Sequence, residues 1–175
     1  MECGKSSHTI RSATAACIQL PIIADHLQKC LDEYTKQHLS DYTCDHCNCP
    51  KRLGHKIFNK IQPRKILILT LKRWDQQCEK ITQVVRFPLK NLSISGAGRY
   101  NLVAVIDHTG DHSNTGHYCI SIRHGRDWIR CNDTNVSVIS EQDLVTKNAY
   151  TLVYCQEDAY QELISAPEER FILPY

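Results

Sequence analysis

Two short clusters carry side chains with the chemistry to hold a metal or move a proton. The first is Cys44-Asp-His-Cys47-Asn-Cys49, in which Cys44 and Cys47 sit at Cys-x-x-Cys spacing. Two thiolates so spaced across a turn make a recurrent half-site for tetrahedral Zn²⁺. A closed structural site needs a second pair, and the chain has no other Cys-x-x-Cys. Cys3, Cys49, His8, His46 and His55 are the remaining candidate ligands. The same knuckle reads equally as a reduced turn without metal, or as a redox dithiol. The second cluster is Gly116-His117-Tyr118, followed by Asp133 at the end of Trp128-Ile-Arg-Cys-Asn-Asp. Antiparallel pairing of the two segments would let Asp133 accept a hydrogen bond from one nitrogen of His117. That fixes the tautomer and leaves the other nitrogen as a base for a cysteine or serine nucleophile. By spacing alone, a structural histidine and an unrelated aspartate fit the same pattern.

The scaffold that must position these residues is bounded by composition. The chain has 175 residues, 42% hydrophobic and 23% charged. That is ordinary for a globular protein of one domain, or two small ones. No apolar run approaches the roughly 18 residues of a membrane-spanning helix. The opening Met1–His8 has no apolar stretch, so no signal peptide is expected, and a reducing setting in cytoplasm or nucleus is. The 10 cysteines are then thiols or ligands rather than a disulfide framework. Cys119, Cys131 and Cys155 alternate with apolar neighbours and read as small buried hydrophobes. A net charge of +2 carries no nucleic-acid footprint, and neither nucleic acid nor membrane is expected as a partner.

Periodicity divides the chain. Apolar residues recur at helical spacing over 23–38 and again at Leu53, Ile57, Phe58 and Ile61, so helices are expected over 23–38 and 51–61. Gln62-Pro63 ends the second. Lys65–Arg73 is a short, unbroken apolar run of the kind a central strand shows. Strand-like runs follow at 81–87, 100–106, 117–123, 128–131, 136–139 and 149–155, separated by turn-forming segments such as Ser95–Gly98 and Thr109–Gly116. The expected class is α+β, a helical part followed by an antiparallel β domain. From Gln156 the pattern lapses into an acidic tail (156–175) expected to be a surface extension.

The order of these segments resembles the C-terminal half of a ubiquitin-specific protease catalytic domain, a papain-like cysteine protease fold. Tyr42-Thr-Cys-Asp-His-Cys47 is similar to the family's second zinc pair. Pro63–Trp74 resembles its central strand, with Trp74 where phenylalanine is usual. Phe87-Pro88, Tyr100–His108 with Gly116-His117-Tyr118, Trp128–Asp133, and Ala149–Tyr154 resemble the later motifs in order. The resemblance spans about residues 17–155. It implies a partial catalytic domain over 1–155, with 1–60 in the fingers and adjoining helices and 63–155 in an antiparallel palm. It further implies His117 as general base, Asp133 as its orienting acid and Asn132 as a supporting neighbour. Gly116 and Tyr118 would flank a channel for the ubiquitin tail, and His108 would lend support at most. Cys44 and Cys47, with Cys3 or Cys49, would belong to an incomplete structural zinc site. The implied partners are ubiquitin, or a ubiquitin-like modifier, and ubiquitinated proteins.

The departures bear on mechanism. The family's nucleophile lies in an Asn-x-Gly-x-x-Cys-type box, and no such box occurs here; Cys3 and Cys17 lack its context. The helical thumb is missing with it. This chain is therefore expected to be inactive alone, as a truncated family member or a modifier-binding remnant. A palm without its thumb is also expected to expose an apolar face and to associate.

Overall fold

The computed structural model describes residues 17–43, 46–49, 52–57, 64–94, 96–112 and 114–165, with the backbone alone at 36–42 and 52–57. In chain order these are β1 (Cys17–Pro21), α1 (Leu27–Thr35), β2 (Lys36–Tyr42), β3 (Arg52–Ile57), β4 (Ile66–Lys72), β5 (Leu92–Ile94), β6 (Gly98–His112), β7 (Thr115–His124), β8 (Asp127–Asn132), β9 (Asn135–Ile139), a 3₁₀ turn (Glu141–Leu144), β10 (Ala149–Gln156) and α2 (Glu157–Ile164). The main sheet runs β1-β4-β10-β6-β7-β8-β9, with β5 beside β6, while β2 and β3 form a separate hairpin. The α+β class stands. The sheet is not wholly antiparallel, because β1 runs parallel to β4.

The unbroken apolar run Ile66-Leu-Ile-Leu-Thr-Leu becomes β4, flanked by β1 and β10. Its Leu67, Leu69 and Leu71 turn to one face and meet Leu152 and Tyr154 of β10 and Leu20 of β1, all buried. Helix α1 closes that face with Leu27, Cys30 and Leu31, the i, i+3, i+4 stripe of an amphipathic helix. Its start is held by Leu27 N–H donating to the Arg86 carbonyl (2.9 Å) and Arg86 N–H donating to the Asp25 carbonyl (2.7 Å).

Three expectations fail for local reasons. The first helix spans Leu27–Thr35 rather than 23–38, because Lys36 onward pairs as β2. The expected helix over 51–61 is instead strand β3 at Arg52–Ile57. Gly54, opposite Leu39 in that hairpin, would cost a helix about 1 kcal/mol relative to alanine. Phe58 and Ile61 lie outside the described residues. The 81–87 run forms a single bridge at Arg86 rather than a strand. Its Ile81 and Gln83 carbonyls are taken by the Arg73 guanidinium at 2.9 and 2.7 Å, which removes them from any ladder.

The start of the acidic tail also folds. Glu157 and Asp158 occupy the first turn of α2, where negative charge suits the helix dipole. Tyr160 is buried and Glu157 accepts a hydrogen bond from Asn101. Among the three cysteines expected in the core, Cys155 is buried and Cys119 and Cys131 are half-buried.

The two faces of the sheet are unequal. One row across it, on the face away from α1, reads Cys17, Ile68, Val153, Ala104, Ile122, Ile129, Val138, and the next Gln19, Thr70, Thr151, Ile106, Ile120, Cys131, Val136. Most of these residues are only half-buried, and Val136 and Val138 on edge strand β9 are 66% and 70% exposed. Uncovered apolar surface of this extent drives association. The purified chain should therefore show a concentration-dependent rise in mass by light scattering. The double variant Val136→Lys, Val138→Lys should reduce it, by placing charge on an edge strand that has none. A monodisperse monomer across the concentration range would refute this.

Candidate active site

Two consecutive hairpins build the site. Strand β7 pairs with β6 on one side and β8 on the other, with Ile120 opposite Cys131 and Ser121 opposite Arg130. Side chains alternate across a strand, so His117, Cys119 and Ser121 share a face with Arg130 and Asn132. The imidazole of His117 accordingly meets Asn132, the last residue of β8, with Nε2 2.5 Å from Oδ1. Because Oδ1 can only accept, Nε2 carries the proton and donates. Nδ1 is then the basic nitrogen. The ring is about half exposed.

Asp133, expected as the orienting acid, lies farther away: its Oδ2 is 3.9 Å from Nε2 and its side chain is 78% exposed. It begins the two-residue turn between β8 and β9, with φ +51°. The neighbour treated as support is thus the hydrogen-bonded one, and the carboxylate stands beyond hydrogen-bond reach. Knowing the β7–β8 register would have shown this, since strand parity puts Asn132 on the face of His117.

Beneath the pair lies a polar network that sequence reasoning missed. The Asp107 carboxylate is buried, accepting from Thr146 Oγ1 at 2.7 Å and Arg130 at 3.1 Å. Arg130 also donates to Ser121 at 3.2 Å, tying β6, β7 and β8 together under the site. Burial raises the Asp107 carboxyl above the usual carboxylate value, with Thr146 and Arg130 opposing the shift. An Arg facing a Ser and an Asp across strands would have been visible only with the register in hand.

Gly116 and Tyr118 lie on the other face, against His108. The Tyr118 ring is 4.7 Å from the His108 ring, and Trp74 and Tyr150 complete the cluster at 5.1 and 6.2 Å. A Cβ on Gly116 would run into the His108 ring and the Thr109 carbonyl oxygen. The glycine is therefore required by its own hairpin, before any substrate is considered. The expected Thr109–Gly116 loop is largely strand, since β6 continues to His112 and β7 begins at Thr115.

For zinc, Cys47 is exposed and Cys49 half-buried, while Cys44 and Cys3 lie outside the described residues. Among the described residues no three His, Cys, Asp or Glu side chains converge as a metal site requires. The described donors alone do not fit a closed zinc site, and no chemical step is assigned to one.

A family model described as ubiquitin carboxyl-terminal hydrolase matches residues 4–154. Bovine ubiquitin carboxyl-terminal hydrolase 2 is 34% identical over 145 residues, covering 73% of this chain and 23% of the relative. Human ubiquitin carboxyl-terminal hydrolase 3 is 30% identical over 151 residues, covering 76% of this chain and 29% of the relative. Among solved structures, a SAGA DUB module bound to monoubiquitin aligns with TM-score 0.60 and 29% identity, covering 78% of this chain and 34% of that one. A yeast SAGA DUBm aligns with TM-score 0.61 and 28% identity over the same shares. The chain thus spans about a quarter to a third of the proteins it matches.

His108 gives the cluster a pH dependence. It is 1% exposed, and burial together with the Lys80 ammonium pushes its imidazole below the ordinary value of 6.5. The titratable groups facing it are Lys80, Tyr118 of β7 and Tyr150 of β10. Between the lowered value and 6.5 the unfolded chain binds a proton that the folded chain does not, so stability is lost as pH falls through that window. Urea unfolding at about pH 7.5 and about pH 5.5 should show that loss, and His108→Phe should shrink it. An identical loss in the variant would refute the assignment.

Proposed function

The chain belongs to the ubiquitin-specific protease family, whose model is that of ubiquitin carboxyl-terminal hydrolase, and we propose that it carries the proton-transfer half of a cysteine-type deubiquitinating site. The observation that carries this is the His117–Asn132 pair at the end of two hairpins, on a half-exposed ring. In the proposed reaction Nδ1 takes the proton of a thiol, and the thiolate attacks the carbonyl after the terminal glycine of ubiquitin. The imidazolium then protonates the leaving lysine amine, and water hydrolyses the acyl-enzyme. Asn132 holds the ring through this cycle without itself exchanging a proton.

In this reading the thiol belongs to an Asn-x-Gly-x-x-Cys-type box, which this sequence lacks, and Cys17 does not replace it. Cys17 stands on β1, four strand spacings from β7, or roughly 19 Å at about 4.8 Å each. It also faces the other side of the sheet, beside Thr70, to whose hydroxyl its Sγ is 3.3 Å. No proton passes between groups so separated. The modifier is taken to be ubiquitin, because two of the solved neighbours are described as bound to monoubiquitin and to ubiquitin aldehyde. The setting is cytoplasm or nucleus, where such thiols stay reduced.

A second reading is favoured by the missing cysteine box: a remnant that binds ubiquitin or a ubiquitin-like modifier without cleaving it. The two separate in a longer product that includes a cysteine box, where a ubiquitin-based thiol probe labels an enzyme and leaves a remnant unmodified. The 175-residue chain should bind ubiquitin yet give no turnover of a ubiquitin-tail fluorogenic substrate. Turnover abolished by His117→Ala would overturn the claim that the thiol lies elsewhere. In an active longer product, His117→Ala should lower kcat by about 10²-fold or more. Asn132→Ala should cost more than Asp133→Ala, and the reverse order would restore Asp133 as orienter.

A further inference from the structure

The ring of His108 is buried on the face of the sheet opposite His117, and both of its nitrogens lack a hydrogen-bond partner. A buried polar group without partners is costly, so an imidazole kept there needs a reason. Its surroundings supply one. A Cβ built on Gly116 would strike the His108 ring, with Cε1 at 2.6 Å, and one on Gly110 would come within 2.9 Å of the Gly116 Cα and 3.6 Å of His108 Cε1. Strands β6 and β7 therefore cross glycine to glycine directly over the imidazole, where their register also shifts between Thr109 and His112. Gly110 at φ +138° can take this path because it has no side chain.

The seat of the ring is fixed from both ends. Lys80 Nζ donates to the carbonyls of His108 and Gly110, each at 2.7 Å, bracketing the residues on either side of Thr109. His108 N–H donates to the Asn148 carbonyl at 2.9 Å, anchoring it to the segment before β10. Trp74 and Tyr118 meet the ring edge-on at 72° and 60°. One residue beyond Gly116 stands His117, whose partner in the β6 ladder is Thr109, next to His108.

We propose that His108 is a positioning residue: its ring is the shelf on which Gly110 and Gly116 close, and the height of that shelf sets where β7 begins and so where the His117 imidazole meets Asn132. The function is one of shape. A flat ring is required, and its nitrogens have no hydrogen-bond partner among the described residues. This rests on the reading of His117 as the base.

The test needs neither ubiquitin nor turnover, so it can fail independently of the proposed function. In the 175-residue protein, NMR of the ¹⁵N-labelled histidines reads the tautomer of His117 and the exchange rate of its Nε2 proton. His108→Ala should speed that exchange about tenfold, matching Asn132→Ala, as expected for loss of one hydrogen bond. His108→Phe, which keeps a flat ring, should retain the native tautomer and slow exchange. Gly116→Ala presses the same contact from the other side and should reproduce the His108→Ala signature, so a failure of one variant to fold leaves the other to decide. Native exchange in a folded His108→Ala or Gly116→Ala variant would overturn the proposal. So would a His108→Phe variant, folded by its amide spectrum, in which the His117 proton is lost.

Discussion

A guanidinium sealed in the interior, with no carboxylate in ion-pair contact among the described residues, holds this structure together where its strands end. Arg73 follows β4 directly, is 0% exposed, and donates to the carbonyls of Ala149, Ile81 and Gln83 at 2.8, 2.9 and 2.7 Å. An isolated buried charge costs several kcal/mol, and carbonyl dipoles can offset that only if they are fixed in place. The cation therefore dictates backbone: the start of β10, the segment after Trp74, and through Lys80 the turn of β6 at His108 and Gly110. Burial lowers the Arg73 pKa from its usual high value, and the buried Asp107 is the one group opposing that shift. Asp107 in turn holds Arg130, next but one to Asn132 on β8. A chain of charge and dipole thus runs from the core to the site.

Much of this fold was legible because its strands obey simple rules. The runs that became β4, β6, β7, β8, β9 and β10 combine β-branched residues with clear turn breaks, and their errors are of length rather than kind. What misled were segments whose partners are distant. Leu53 and Ile57 have helical spacing, but their backbone pairs with β2, and pairing cannot be seen in a window. The 81–87 run has strand composition, yet its carbonyls serve Arg73. Cys17–Pro21 gave no signal, since a short parallel edge strand depends wholly on β4 for its conformation.

The site divides along the same line. Residue types named His117, whose glycine and tyrosine neighbours mark it. Choosing between Asn132 and Asp133 is a question of parity, and adjacent strand residues point to opposite faces. Chemistry favoured the carboxylate, while the structure places the amide in hydrogen-bond reach. The reason for glycine at 116 was likewise invisible, because it lies eight positions back along the chain, in the His108 ring.

One property of the sequence is unanswered by the described residues, and it bears on the reaction. The alternating Ile and Leu of β4 make both its faces apolar, the pattern of a strand covered on two sides. Leu67, Leu69 and Leu71 are covered, whereas Ile66 is 47% exposed and Ile68 half-buried. Ile120 and Ile122, half-buried, extend that surface onto β7, the strand that carries His117. At β7, then, one face bears the His117 imidazole held by Asn132 and the other a half-buried apolar surface. The His117–Asn132 hydrogen bond is made within this chain, between the start of β7 and the end of β8. In the proposed reading, holding the imidazole and supplying a thiol are thus physically separable tasks.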